Sequence, residues 1–340
     1  MTLPIALSPR EVATRLRNGY TLPDAGIILA DTVRLADLDG MPMPRTRTPG
    51  KRVRVYWRGA ASVPVLALEN CRDVVFDRID VVCETPCASV VAIERTRDVG
   101  GTIPSTNNAF RRWRIYGNGL AQRGFWCRDT IDANNEHMEF HANTVYGVSR
   151  PFVFAGIQSK LHRLTHNVVE SFDVAVTSDT GFHYAGGTMA VGSLAFDLTR
   201  AGDPVSVRDC GIETVGRLLR TSGPRTDAQP IVLDSVRYAA DQLAADGAMI
   251  VLRHAGPLVI VGGSYGDGQQ RIPQIECGGI GEQTVTVLGA KRGSFGSVAV
   301  PFVRTKPGVR LAYTEQGCTY QNPETSSDRT STRPLYGAAR

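Results

Sequence analysis

The 340-residue sequence predicts an all-β protein, a parallel β-solenoid of about ten coils with a short helical cap at its N-terminus. Three observations carry that prediction. Two series of short apolar runs interleave along the chain with a period of about 25 residues, within the range of solenoid repeats. The 35 glycines and 19 prolines interrupt the chain too often for long helices. The segments between runs, such as Thr177–Gly181 and Ser222–Gln229, are too polar and turn-rich for the crossover helices of an α/β sheet.

The elements follow in order. Residues 8–18 read as a helix: Ser8 caps it, Pro9 suits its first turn, Glu11 completes a capping box, Val12 and Leu16 make an apolar stripe, and Gly19 ends it. From about residue 26 the apolar runs begin. One series centres on Val91, Phe125, Phe152, Val174, Phe196, Leu218, Ile250, Ile275 and Val300. The other centres on Phe76, Ile115, Phe140, Leu164, Tyr184, Val207, Leu233, Val261 and Val287. A coil that cannot bury its apolar face alone does so by stacking on its neighbours, which explains why both series keep phase. The longest steps contain the polar insert Gly100–Asn108, and a later one contains the Ala-rich stretch Tyr238–Asp246. In the phrase from Glu69 to Val81, Asn70 and Asp73 suit a turn, and Val75, Asp77, Ile79 and Val81 are expected on one strand face. The predicted organisation is a helical cap over 1–25, a β-helix over 26–305 and a non-repetitive tail over 306–340.

Composition narrows the function classes. No run of eighteen apolar residues offers a membrane span, and Met1–Pro4 does not open a signal-peptide pattern, so a protein made in a cytosol is expected. Seven cysteines at irregular spacing predict free, mostly buried thiols; Cys83 and Cys87 are the one close pair. Net charge is +5, and all of it comes from the segment Met1–Ala60, chiefly Arg45, Arg47, Lys51, Arg52, Arg54 and Arg58. No nucleic-acid motif or aromatic platform surrounds that cluster, so a solvated loop or subunit contact is expected in place of nucleic-acid binding.

The phrase texture and period resemble right-handed parallel β-helix proteins of the pectate-lyase-like superfamily, the group that includes pectinases and bacteriophage tailspikes, over about residues 27–305. The resemblance implies a phage virion component: a tailspike, tail fibre or other minor tail protein, trimeric, in contact with other virion proteins and with a host-surface glycan, assembled in the host cytoplasm. It implies no cofactor and no membrane partner. The alternative is a polysaccharide depolymerase, a hydrolase or lyase on the same fold; an adhesin is a third reading, opposed by the absent export signal. The hydrolases' paired Asp and the lyases' calcium-binding Asp with catalytic Arg have no residue-by-residue match here.

One face stands out as a site. His137, Glu139 and His141 alternate with Met138 and Phe140, so inward Met138 and Phe140 leave the three polar residues outward. His162 and His166 follow His137 and His141 at the distance of one repeat, which predicts that all five share one patch, with His183 as a possible extension. Such a patch suits glycan or receptor contact; a metal site, acid–base chemistry by Glu139 with a His, and a plain solvated face are the competing readings. No catalytic or metal residue is assigned. Asp77 with Asp80, and Asp129 with Asp132, read as structural. Gly262–Gly266 spells a nucleophile elbow by letter, but no helix and no later His beyond Ser264 supports it, so it reads as a turn. Trp57, Trp113 and Trp126 are open between core and groove positions.

Overall fold

The computed structural model describes residues 3–94, 105–128, 135–156, 159–199, 203–222, 229–240, 243–253, 257–267, 274–279, 281–294 and 302–320. It is nearly all-β, with one short helix and parallel strands stacked into about nine solenoid turns, one fewer than the sequence spacing suggested. The strands fall in two compact units, Met1–Val176 and Thr177–Arg340.

In the first unit the helix spans Pro9–Arg17. Ser8 Oγ accepts from the Glu11 backbone N–H at 3.2 Å, while the Glu11 carboxylate bonds Arg15 instead of closing the capping box. Val12 and Leu16 are buried. They roof an apolar cavity of about 40 Å³ lined with Leu22, Ile27, Val33 and Val53. The chain before the helix also joins the solenoid, for Ile5–Ala6 pairs in parallel with Ile27–Ile28.

Each regular turn contains a corner residue with positive φ: Arg78 (59°), Arg112 (55°), Ala142 (53°) and His166 (55°). Arg78 splits the expected single strand into Arg72–Asp77 and Ile79–Cys83. The inside–outside phase changes there, so Val75 and Asp77 are half-exposed whereas Ile79 and Val81 are buried. In-register stacking puts like over like. Phe76, Phe110 and Phe140 form one inner column, with ring centroids 5.8 and 5.4 Å apart and nearly parallel planes. Val91, Phe125 and Phe152 form another. Ile115 belongs to neither: it lies between Val81 and Val145, and Phe110 holds the place assigned to it.

Buried side-chain donors tie the corners together. Trp113 Nε1 donates to the Phe76 carbonyl, Asn143 Nδ2 to the Phe110 carbonyl and Asn167 Nδ2 to the Phe140 carbonyl, at 3.1, 3.0 and 2.9 Å. Asn143 Oδ1 accepts from the Trp113 backbone N–H, and Asn167 Oδ1 from that of Asn143. Backbone groups stranded inside a turn are thereby satisfied.

In the second unit the inner column runs Tyr184, Val207, Leu233, Ile260 and Val287. A second runs Phe196, Leu219, Ile250, Ile275 and Val303. Ile260 and Leu219 replace the expected Val261 and Leu218, each a shift by a single position; Val300 lies outside the described residues. Corners fall at Gly186, Asp209, Ser235, Gly262, Gly289 and Gly317. At Gly263 an added Cβ would lie 2.4 Å from the Val236 carbonyl oxygen, which glycine alone tolerates. Arg237–Ala240 is a strand, so the Ala-rich stretch opens without helix.

Strand pairing continues past residue 305. Val309–Gln316 pairs along its whole length with Gly281–Leu288, and Thr319–Tyr320 pairs with Lys291–Arg292. Val309 and Leu311 are buried while Arg310 and Ala312 are exposed, the alternation of a solenoid strand. Residues 321–340, with Leu335 and Tyr336 of the predicted tail, lie outside the described residues.

Candidate functional site

The strand Glu139–His141 follows a left-handed corner at His137 (φ 56°) and lies between Ala109–Arg111 and His162–Thr165. Phe140 is fixed inward by its ring stack, and Met138 is also buried, so Glu139 and His141 point outward as expected. Arg111 Nε and Nη2 donate to the two Glu139 carboxylate oxygens at 3.0 and 2.9 Å. That fork raises the Arg111 guanidinium above its ordinary pKa. His141 Nδ1 lies 2.8 Å from Thr165 Oγ1, and its ring meets His166 edge-on at 5.7 Å. Glu139, His141 and His166 therefore share one outward face, and His137 is exposed on the preceding corner.

His162 does not join them. Glu139 stands opposite Arg163 and His141 opposite Thr165, so the turn here is one position shorter than the spacing from His137 to His162. A slip of one position in register exchanges inside for outside. His162 thus takes the inward position of Met138: it is 0% exposed, its ring lies 4.3 Å from Phe154, and Nε2 is 2.7 Å from Ser159 Oγ. Burial, with a smaller push from His137, lowers its pKa to about 3 and keeps it neutral. His183 is exposed in the second unit, opposite Ser206.

Asp77 accepts a two-pronged bond from Arg112, and the buried Asp80 is held by Arg52. Asp129 and Asp132 lie outside the described residues. Five of the six side chains of the basic cluster are met by acids and carbonyls: Lys51 by Asp24, Arg52 and Arg54 by Asp80, Arg58 by Glu84, and Arg45 by the Gly19 carbonyl. Gly262 and Gly263 form a corner that leads straight into the strand Ser264–Asp267, not into an elbow helix. Trp57 and Trp113 are core residues, and Trp126 is half-exposed between the guanidiniums of Arg123 and Arg128. Six cysteines are buried and Cys318 is half-buried; the Cys83 and Cys87 thiols are 3.8 Å apart, in hydrogen-bond contact and without a disulfide. Among the described residues no three His, Cys, Asp or Glu side chains are grouped to hold a metal ion.

A second outward column had no signal in the sequence. Tyr56, Val82, Tyr116 and Tyr146 stand in register on four successive turns, and Tyr116 and Tyr146 are 38% and 43% exposed. Two positions earlier on the same face runs the column Arg54, Asp80, Arg114. Only register reveals it, because the tyrosines lie far apart along the chain.

No family model matches the chain, and no curated protein matches its sequence.

Proposed function

We propose that the protein is a structural β-solenoid of a phage virion, a tailspike, tail fibre or other minor tail component of the pectate-lyase-like type. It works as a trimer alongside other virion proteins and contacts a host-surface glycan without cleaving it. The observation that supports glycan contact is the outward tyrosine column beside Arg54 and Arg114. Tyr116 and Tyr146, one turn apart, with Tyr56 two turns before Tyr116, offer aromatic surface to sugar rings, and the flanking charges offer hydrogen bonds to hydroxyls. Glu139, His141 and His166 extend the polar surface on another strand face.

The carboxylates argue for binding over cleavage. A general acid needs an unengaged carboxyl that can reach the glycosidic oxygen, and Glu139, Asp77 and Asp80 are each engaged by a guanidinium, of Arg111, Arg112 and Arg52 respectively. The test is to incubate the full chain with host capsule and lipopolysaccharide, then measure retention on the polymer, reducing-end release and mass by light scattering. Retention by a three-chain particle without new reducing ends is expected. Reducing ends that vanish in Glu139→Gln would make the depolymerase reading the correct one.

A further inference from the structure

A second strand face of the first unit carries a charge arrangement that departs from the rest. Parallel in-register stacking brings the residue at each outward position within one strand spacing, about 4.8 Å, of its counterpart on the next turn. Elsewhere that rule sets opposite charges together. Arg54, Asp80 and Arg114 alternate in sign; Glu139 faces Arg163, Asp197 faces Arg220 and Glu276 faces Arg304. One acidic like-sign pair, Glu69 and Glu94, is answered by Arg34 and Arg128. Arg123 and Arg150 are a basic like-sign pair, directly opposed, and among the described residues neither forms an ion pair.

The surroundings hold one member of this pair, Arg123, in place. The Trp126 indole carries Arg123 at 4.2 Å and Arg128 at 4.6 Å from its ring centre, so the two guanidiniums are positioned by cation–π contact. Arg128 spends its charge on Glu94. Arg123 makes only long bonds, 3.4 Å to the Ala88 carbonyl and 3.5 Å to Gln122 Oε1, and keeps donors to spare. Burial first, then Arg150 and Arg128, press its guanidinium below the ordinary pKa range. The Asp173 carboxylate is engaged by Ser149. Like charges directly opposite each other destabilise a sheet. An arrangement that costs stability and leaves two forks open suits an anion bridging both.

We propose that Arg123 and Arg150, with Trp126 as positioning residue, form a binding site for the anionic group of an acidic glycan, a sugar carboxylate or a sugar-linked phosphate. The anion bridges the two guanidiniums and removes their repulsion. Its sugar source rests on the glycan-binding reading above; anion binding itself does not.

The experiment compares the full chain with Arg150→Gln and Arg123→Gln. Each is titrated calorimetrically with a glucuronate oligosaccharide, its carboxyl-reduced neutral counterpart, a phosphorylated oligosaccharide and inorganic phosphate. The wild type is expected to bind an acidic oligosaccharide at least tenfold tighter than the neutral one, more weakly at higher salt, and each variant to lose about tenfold. The carboxylate and phosphate arms decide which anion is used. Melting without ligand is the second readout. Arg150→Gln should melt at the same temperature as wild type or higher, because a repulsion is removed. Equal binding of acidic and neutral sugars, or an Arg150→Gln variant that melts lower with unchanged acidic-sugar affinity, would overturn the site. Inorganic phosphate binding as tightly as either oligosaccharide would overturn the sugar source alone.

Discussion

The two units build the same turn from different corner chemistry. In the first, the position after the corner holds Trp113, Asn143 and Asn167, whose side chains donate to carbonyls of the turn before. In the second, the same position holds Gly187, Cys210, Val236, Gly263, Ala290 and Cys318, and backbone bonds such as Arg237 N–H to the Cys210 carbonyl at 2.9 Å carry most of the tie, with Cys318 Sγ to the Val287 carbonyl at 3.7 Å as a weak thiol counterpart of the ladder. The inner columns differ in parallel, stacked Phe rings in one and mostly aliphatic residues in the other. A period can thus be kept with a polar ladder and large rings, or with small corners and close backbone approach. The first solution concentrates stability in a few residues; the second spreads it.

The contrast is sharpest in core truncations. Phe140→Ala removes a ring packed on Phe110, Phe125 and Phe152 and should cost about 3–5 kcal/mol, whereas Leu233→Ala in the second unit should cost about 2–3 kcal/mol. Equal losses in denaturant titration would erase the difference. Next comes the ladder. Asn143→Ala strands the Phe110 carbonyl and the Trp113 N–H, so about 2–4 kcal/mol should be lost, against about 1 kcal/mol for Cys210→Ala.

A pH effect follows from His162. Its folded pKa of about 3 lies below the ordinary 6.5, so the unfolded chain binds a proton that the folded chain refuses. The stability that goes with the neutral ring is complete above pH 6.5 and is lost as pH falls from there toward 3. His162→Gln cannot titrate, so its melting temperature should fall less steeply across that window; parallel curves would place the ring outside the core. The smallest effect is expected on the outward face. Changing His137, Glu139 and His141 together to Ala should cost under about 1 kcal/mol, since the Arg111–Glu139 pair is more than one-third exposed.

Much of the fold was legible because stacking repeats residue type. Phe125 over Phe152, Tyr184 over Val207 and Ile250 over Ile275 are visible as spaced apolar runs. The cap was legible from Ser8, Pro9 and Gly19. What the sequence hides is phase. The turn from Glu139 to Arg163 falls one position short of the spacing between His137 and His162, and nothing local marks the difference, so spacing alone puts His162 outside. Arg78 carries no turn signal yet takes a left-handed corner. Asn143 and Asn167 read as ordinary turn residues, and only their buried partners reveal the ladder. The tyrosine column and the Arg123–Arg150 pair exist only once register is known.

A pair of deletions reads out the register itself. Removing positions 142–165 excises one whole turn and joins His141 to His166, so the following turn meets the previous one in phase. Removing only 142–164 leaves Thr165 as an extra position and turns the next inward side chains outward. Urea titration followed by circular dichroism should show a cooperative, β-rich transition for the first variant and its loss for the second. Two variants that unfold alike, or a stable fold from the shorter deletion alone, would contradict the register of Glu139 on Arg163 and with it the placement of every side chain argued from it.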